Sequence, residues 1–308
     1  TTEIYTLSLH YALPIFLALL VVFFVLSAAL GAIVFFGGGA QIIDKARWYW
    51  PGQRVTLSIP EGFDRFQIAA RVEAAGICPR AAFLSATEDR AVLDGLGVSG
   101  ASAEGYLFPA TYDFLIDTDA PRVVERLVRE SKKRLERIRK SMEPAAASTA
   151  SVPGLSEQEW VTLASIVEKE TGSDDERPLV AQVFLNRLAA PLGETNGRLQ
   201  SDPTAAYGCL LQPSLASCHD FDGRVTPEMV RDPNNSYNTY RRAGLTPGPI
   251  ANPGEGALRA VLAPAGGDAL YFVADGSGKH VFSRTYEEHL RAIERARLSG
   301  PQGASEPR

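Results

Sequence analysis

The chain has 308 residues, of which 45% are hydrophobic and 22% are charged, and its formal net charge is −5. This length allows one large domain or two modest ones, and the apolar fraction is sufficient for a substantial core. The acidic balance excludes a general nucleic-acid-binding surface, so we expect no nucleic acid partner.

The N-terminal region predicts a membrane anchor. Residues 1–15 resemble a translated sequencing-adapter fragment, so we treat them as non-native and exclude them from the fold. Residues 12–36 carry no charge and are long enough to cross a bilayer. No small-residue cleavage motif follows, which favours a retained anchor over a cleaved signal. Lys45 and Arg47, read alone, would place the rest of the chain in the cytoplasm, although large domains translocate largely regardless of such charges.

A small lobe is predicted over residues 52–103. Residues 54–60 alternate as in a strand, and helices are expected over 66–75, 80–84 and 89–96. The order strand, helix, helix resembles a LysM-like module, a fold that often holds N-acetylhexosamine chains. The alternative is a packing subdomain with no affinity of its own.

The remainder, residues 104–298, is predicted to form a larger mixed α/β lobe, followed by a disordered tail over 299–308. Pro109 argues against a continuous helix through 104–111, which we expect to be strand or loop. Residues 121–140 predict a helix whose many Lys and Arg side chains alternate with Glu, as on a solvated helix face. Residues 141–154 predict a loose connection.

A helix beginning after Ser156 carries the candidate catalytic group. Ser156 and Glu159 form a capping-box pattern, and apolar residues recur at helical spacing after them. Glu168 lies at the edge of that apolar stripe, where burial would raise its pKa and suit it to proton transfer. Glu170, about 200° further around the helix, is expected to face water. The alternative is that both glutamates are solvated charges.

The chain continues with a helix over 177–188, loop-rich polar segments over 198–222 and 232–256, a hairpin over 270–283 and a helix over 285–298. Cys209 and Cys218 bracket a short loop and would form a disulfide in an oxidising compartment. A metal site with His219 is the alternative, but the Cys and His spacing does not support one, so we predict no metal.

Other chemistries find little support in the sequence. Residues 276–279 fail the pattern of a phosphate-binding loop, and no nucleophile elbow is present, so we predict no cofactor. Paired carboxylates remain, and Glu168 with Asp202 or Glu104 would make a hydrolytic pair.

Six blocks in a fixed order carry a resemblance to a known family. They are Ala164–Thr171, Glu104–Tyr112, Arg198–Thr204, Tyr237–Tyr240, Gly244–Gly254 and Tyr271–Gly276. Together they resemble the endolytic murein transglycosylases, the MltG or YceG-like family, over about residues 52–295.

The resemblance implies an α+β, single-pass protein of the bacterial cytoplasmic membrane, with its catalytic part outside. It implies cleavage of the MurNAc–GlcNAc bond within nascent peptidoglycan, leaving 1,6-anhydroMurNAc ends and limiting strand length. Glu168 is then the lone catalytic acid and base. Proximity to cell-wall synthases, the penicillin-binding proteins, is a further hypothesis.

The resemblance also implies residues that hold the sugars, for which loop scaffolding is the alternative. They are Glu104, Tyr106, Gln200, Ser201, Asp202, Tyr237, Asn238, Thr239 and Tyr240. Two other functions remain open: a membrane-tethered glycan-binding scaffold without turnover, and a peptidoglycan hydrolase.

Overall fold

The computed structural model describes residues 53–146 and 154–299. The expected leader over 1–15, the anchor over 12–36 and the tail after residue 299 lie outside these ranges. The part described from Arg54 onward forms one compact unit. Within the described ranges, no helix has both the length and the apolar character needed to cross a membrane.

The first part of the unit is a two-stranded antiparallel sheet with three helices between its strands. Strand β1 (Arg54–Ser58) pairs with β2 (Thr111–Leu115), and the intervening helices are α1 (Arg65–Ala74), α2 (Arg80–Glu88) and α3 (Arg90–Gly95). The predicted strand and helices are therefore confirmed. Because β2 lies beyond residue 103, the sheet extends past the predicted end of the small lobe, and the LysM-like character of that lobe stays a prediction.

The second part is mainly helical. Its elements are α4 (Ala120–Ala146), α5 (Glu157–Glu170), α6 (Arg177–Ala189), α7 (Asp202–Leu211), a 3₁₀ turn (Ala216–Cys218), α8 (Pro227–Arg231), α9 (Glu255–Leu262), strands β3 (Tyr271–Ala274) and β4 (His280–Ser283), and α10 (Tyr286–Ser299). The hairpin of β3 and β4 is antiparallel, as predicted.

Two predictions about this part were wrong. Residues 198–222 were expected to be loop, but they contain α7, which has Pro203 in its first turn. Proline is well tolerated there because the first helical N–H groups have no intrahelical partner. Helix α4 also continues to Ala146 through a stretch that was expected to be a loose connection.

Helix α5 forms the centre of the core. The expected capping box is present, since Ser156 accepts from the Glu159 backbone N–H and the Glu159 carboxylate accepts from the Ser156 backbone N–H. Every residue from Trp160 to Val167 is buried. The helix packs against α6, α7 and α9, and the Trp160 indole N–H donates to the Leu258 carbonyl at 2.8 Å. Because the helix is enclosed on all sides, its last turn is held rigidly where it leaves the core.

Asn252 joins the two parts of the unit. Its backbone N–H donates to the Phe63 carbonyl at 2.9 Å, and its carbonyl accepts from the Gly62 N–H at 3.0 Å. Its side-chain amide donates to the Glu104 carboxyl at 2.7 Å, while its amide oxygen accepts from the Leu107 N–H at 2.7 Å. One asparagine therefore fixes both the loop before α1 and the segment between α3 and β2 to the loop that precedes α9.

Candidate active site

The last turn of α5 carries three charged residues that diverge, because successive side chains on a helix are about 100° apart. Glu168 and Glu170 are partly buried, whereas Lys169 between them is exposed. The Lys169 ammonium donates to the Gly62 carbonyl at 3.2 Å. The helix therefore presents two carboxyls to two different surroundings.

Glu168 has both carboxylate oxygens engaged. Its Oε1 lies 3.3 Å from Nη2 of Arg177, and its Oε2 accepts from the Gly254 N–H at 3.1 Å. The side chains of Glu168 and Arg177 are 6% and 8% exposed, so this is a buried ion pair. Arg177 also contacts Asp174, and Glu61 Oε2 lies 3.9 Å from its Nη2. The arrangement links the end of α5 to the start of α6 and to the residue before α9.

Glu170 has a different environment, and the expectation that it faces water is wrong. The pKa of its carboxyl is raised to about 6, mainly by burial and to a smaller extent by the negative charge of Asp202. The hydroxyl of Ser201 and the positive charge of Arg187 act in the opposite direction. Glu170 keeps part of its surface open to solvent, but its carboxyl is surrounded by densely packed protein.

Ser201, one of the predicted sugar-binding residues, is a polar neighbour of the Glu170 carboxyl. Its side chain is 1% exposed, and its Oγ has no hydrogen bond of regular geometry to any described residue. It still lies close enough to the Glu170 carboxyl to lower its pKa. A buried hydroxyl without a full partner is unusual, and it leaves Ser201 free to donate to the carboxyl or to an incoming oxygen.

Two of the predicted blocks meet beside Glu170. The Ser201 N–H donates to Thr239 Oγ1 at 3.0 Å, and the Gln200 N–H donates to the Thr239 carbonyl at 3.2 Å. Across the same junction, the Tyr240 hydroxyl donates to Asp202 Oδ1 at 2.7 Å. Gln200 adopts a φ of 53°, a left-handed conformation that is uncommon for residues other than glycine. Segments 198–204, which include the start of α7, and 237–240 therefore form one hydrogen-bonded wall.

The exposure of the predicted sugar-binding residues divides them into two groups. Gln200, Asp202, Tyr237 and Tyr240 keep solvent-accessible surface. Asn238 is 0% exposed, and its amide donates to three backbone carbonyls, those of Met229, Val230 and Asp232. Thr239 is 2% exposed, and its side chain bonds to the loop as described. Asn238 and Thr239 therefore hold the wall in place and do not face a ligand.

Glu104 and Tyr106 lie inside the fold, at 1% and 2% exposure, and they do not line a groove. Glu104 accepts from the Arg65 N–H at 2.9 Å, the Tyr207 hydroxyl at 2.8 Å and the Asn252 amide at 2.7 Å. Burial raises the pKa of this carboxyl to about 7. The alternative reading, in which these residues fasten parts of the fold together, fits the structure.

A surface cleft of about 460 Å³ opens next to the wall. It lies between α1 and α7, and its lining includes Phe66, Lys169, Pro203, Tyr207 and Ile250. Lys169 and Pro203 are the sequence neighbours of Glu170 and Asp202, but the carboxyls of Glu170 and Asp202 are not part of the lining. Mixed aromatic and polar linings of this kind suit sugar rings, whose faces are apolar and whose edges are polar.

Cys209 and Cys218 form a disulfide, with their Cα atoms 5.1 Å apart. The bond ties the end of α7 to the 3₁₀ turn and packs against Met229. Among residues 53–146 and 154–299, no group of three or more His, Cys, Asp or Glu side chains is arranged to hold a metal ion.

Sequence reasoning missed three residues at this site: Arg177, Arg187 and Glu61. Arg177 and Arg187 lie on the otherwise apolar face of α6. An arginine within an apolar stripe indicates that its guanidinium forms an ion pair or donates to backbone carbonyls. Glu61 precedes α1 and gave no pattern. The Glu61 carboxyl lies so close to Gly254 that a Cβ atom at position 254 would be 2.0 Å from it. Gly254 is also the residue whose N–H binds Glu168.

Comparison with known proteins gives a consistent result. Residues 40–295 match the model of the YceG-like family. The endolytic murein transglycosylase of Bacillus subtilis is 34% identical over 193 residues, which cover 62% of this chain and 47% of that protein. The enzyme of the same name from Streptococcus pneumoniae strain D39 is 33% identical over 262 residues, which cover 77% of this chain and 44% of that protein.

A solved structure agrees with the sequence comparisons. The crystal structure of a YceG-like protein from Listeria monocytogenes superposes with a TM-score of 0.64 at 29% identity, and the match covers 82% of this chain and 81% of that one. The chain spans under half the length of the two curated relatives.

Proposed function

This chain belongs to the YceG-like family, and we propose on that premise that it is an endolytic lytic transglycosylase. It cleaves the MurNAc–GlcNAc bond within nascent glycan strands, leaves 1,6-anhydroMurNAc ends and thereby limits strand length. Its relatives carry the corresponding name, and the cleft between α1 and α7 offers a place for a sugar chain.

The observation that carries the proposal is the Glu170 carboxyl, whose pKa is raised to about 6. Such a group is protonated in a useful fraction of molecules near neutral pH and can also take the proton back. In the proposed reaction it donates its proton to the bridging oxygen as the bond from that oxygen to C1 of MurNAc breaks. It then accepts the proton of the C6 hydroxyl, whose oxygen bonds to C1. No water is consumed, and one carboxyl is sufficient.

We propose Glu170 for this role in place of Glu168, which the sequence pattern had favoured. Both oxygens of Glu168 are already bound, by Arg177 and by the Gly254 N–H. With one oxygen held by a buried guanidinium and the other by a backbone N–H, neither oxygen of Glu168 is free to approach a glycosidic oxygen. In our proposal, Glu168 positions the end of α5, and Glu170 performs the proton transfer.

The substrate contacts follow from the same geometry. Gln200, Asp202 and Tyr240 have accessible polar groups in the wall beside Glu170, and Tyr237 offers a partly exposed ring. These four groups are proposed to contact the sugars. Ser201 is proposed to hold the carboxyl, while Glu104, Tyr106, Asn238 and Thr239 support the surrounding loops.

The proposed location is the outer face of the cytoplasmic membrane, with residues 12–36 as a single anchor and residues 52–103 as a LysM-like lobe that contacts glycan. The Cys209–Cys218 disulfide supports this location, because such bonds persist mainly in oxidising compartments outside the cytoplasm. A partnership with penicillin-binding proteins belongs to the same proposal, and failure of crosslinked cells to yield a synthase in co-purification would remove it.

The decisive experiment uses two isosteric variants placed two residues apart. Full-length parent, E170Q and E168Q are purified in detergent and incubated with isolated glycan strands, and the products are analysed by mass. We expect anhydro ends from the parent, none from E170Q despite retained strand binding, and measurable product from E168Q. Loss of product in E168Q with normal product in E170Q would return the role to Glu168.

The same measurement separates the competing functions. Ends that are heavier by one water than anhydro ends would identify a hydrolase. Binding without any cleavage by the parent would identify a scaffold. Thermal unfolding of each variant is recorded alongside, so that a loss of product is attributed to chemistry only where the fold is retained.

A further inference from the structure

The outer face of α4 carries a row of basic side chains that the proposed reaction does not use. Arg122, Arg126, Arg129, Lys133 and Arg137, which we call the basic stripe, are all exposed. At 100° per residue they fall within an arc of about 80°, and they extend for about 23 Å along the helix axis. The opposite face of α4 is buried in the core, so the stripe is presented on a rigid element.

The charge of the basic stripe is largely uncompensated. Arg129 pairs with Glu125 at 2.7 Å, but the other four members make no ion pair with any residue of the described ranges. The acidic residues that flank the stripe are already paired: Glu130 lies 2.6 Å from Arg134, and Glu136 lies 2.7 Å from Lys140. The whole chain has a net charge of −5, whereas this face of α4, with four unpaired cations, is locally positive.

One end of the basic stripe lies where the chain enters the folded unit. Arg54 is the first residue of β1 and pairs with Leu115 of β2, which is closely followed by α4. The Arg126 guanidinium stacks over the Phe114 ring at 5.2 Å, and Phe114 pairs with Val55. Between the apolar stretch ending at Phe36 and Arg54 there are 17 residues, which reach at most about 60 Å when fully extended.

We propose that the basic stripe docks on the anionic phospholipid headgroups of the membrane in which residues 12–36 are anchored. The contact would fix the orientation of the folded unit against the bilayer, because it adds an extended second attachment to the single anchor. Its chemistry is that of a polybasic surface beside a membrane anchor, which is attracted to anionic leaflets and weakened by salt. The inference rests on the proposed membrane location and is independent of which glutamate transfers the proton.

The test follows the reactivity of Lys133 toward a water-soluble, uncharged amine reagent. The full chain is inserted into nanodiscs of phosphatidylcholine alone, or of phosphatidylcholine mixed with anionic phosphatidylglycerol. Lys279, exposed in the β3–β4 turn, serves as the internal reference. We expect Lys133 to react about threefold or more slowly in the anionic discs, with the difference lost at high salt, and Lys279 to be unchanged.

Two matched variants complete the design. R122Q/R126Q/R137Q removes three cations of the stripe and keeps Lys133, so the protection should disappear. R284Q/R291Q/R297Q removes the same charge in and beside α10, so the protection should remain. Equal reactivity in both kinds of disc, protection that survives the stripe variant, or equal protection by soluble polyphosphate in neutral discs would each overturn the proposal.

These outcomes are separable from those of the proposed function. Failure of the chain to enter nanodiscs refutes the anchor, and with it this inference, before any labelling is done. Glycan cleavage in detergent does not depend on the stripe, so the stripe variant should cleave strands as the parent does.

Discussion

Replacing Glu104 by Gln should change how the stability of this protein depends on pH. Burial raises the pKa of the Glu104 carboxyl from 4.5 to about 7 in the folded state. The folded state therefore binds one more proton than the unfolded state between these two pH values. Stability from this group is fully present below pH 4.5 and is lost as the pH rises toward 7. At about 1.36 kcal/mol for each pH unit, the full loss is about 3 kcal/mol.

The E104Q variant lacks this titration, so the parent and the variant should diverge in a defined direction. The quantity to compare is the free energy of unfolding of E104Q minus that of the parent. This difference should be more unfavourable to E104Q at pH 5 than at pH 8, by up to about 3 kcal/mol. The comparison cancels any fixed cost of placing an amide NH₂ against the Asn252 amide. Urea unfolding of full-length protein in detergent at both pH values measures it.

A matched control and a refuting result are available. E294Q replaces an exposed glutamate of α10 and should change stability by less than about 0.5 kcal/mol at either pH. If E104Q is displaced from the parent by the same free energy at pH 5 and at pH 8, then Glu104 does not titrate in this range. Its three hydrogen bonds, from Arg65, Tyr207 and Asn252, would then outweigh the burial that raises its pKa.

Three further predictions concern the site and its support. If Glu170 is the acid, kcat/KM should fall about tenfold per pH unit above about pH 6, because only the protonated form donates; a flat profile to pH 8 would contradict this. R177A should lose about 3–5 kcal/mol of stability in urea unfolding, because it strands the buried Glu168 charge, and a loss below about 1 kcal/mol would show that the ion pair contributes little. C209S/C218S should lose about 2–3 kcal/mol, as expected for so short a loop; reductant should weaken the parent by the same amount and leave the variant unchanged.

The helices of this protein were predictable because their signals are local. The capping box of α5, the apolar stripes of α4 and α6 and the turn between β3 and β4 all lie within a few residues of the elements they define. The Cys209–Cys218 bond was also visible in the spacing. Residues 104–111 were expected to be strand or loop, and nothing was predicted for residues 112–115, where most of β2 lies, although Tyr112 and Phe114 alternate with Thr111 and Asp113.

The family resemblance assigns the catalytic role to Glu168, but the different surroundings of the Glu168 and Glu170 carboxyls were not visible in the sequence. The periodicity of α5 describes only its own surface, whereas the surroundings of each carboxyl come from distant segments. Arg177 and Gly254 enclose Glu168, and Ser201 and Asp202 adjoin Glu170. Likewise, the residues around Glu104 in the sequence are mostly polar or small, which suggests an exposed segment. Its burial depends in part on Asn252, which lies 148 residues further along the chain and donates to its carboxyl.

The double backbone bond between Asn252 and residues 62–63 has a consequence for the order in which the chain can fold. Residues 62 and 63 are among the first of the unit to be synthesised, but their partner follows 189 residues later. The backbone groups of the loop before α1 can therefore form these hydrogen bonds only after most of the polypeptide has been synthesised. Contacts this distant in sequence slow folding and make it cooperative. A ribosome-bound chain ending before residue 252 should consequently remain sensitive to protease around residues 60–64, whereas one extended beyond α9 should be resistant there.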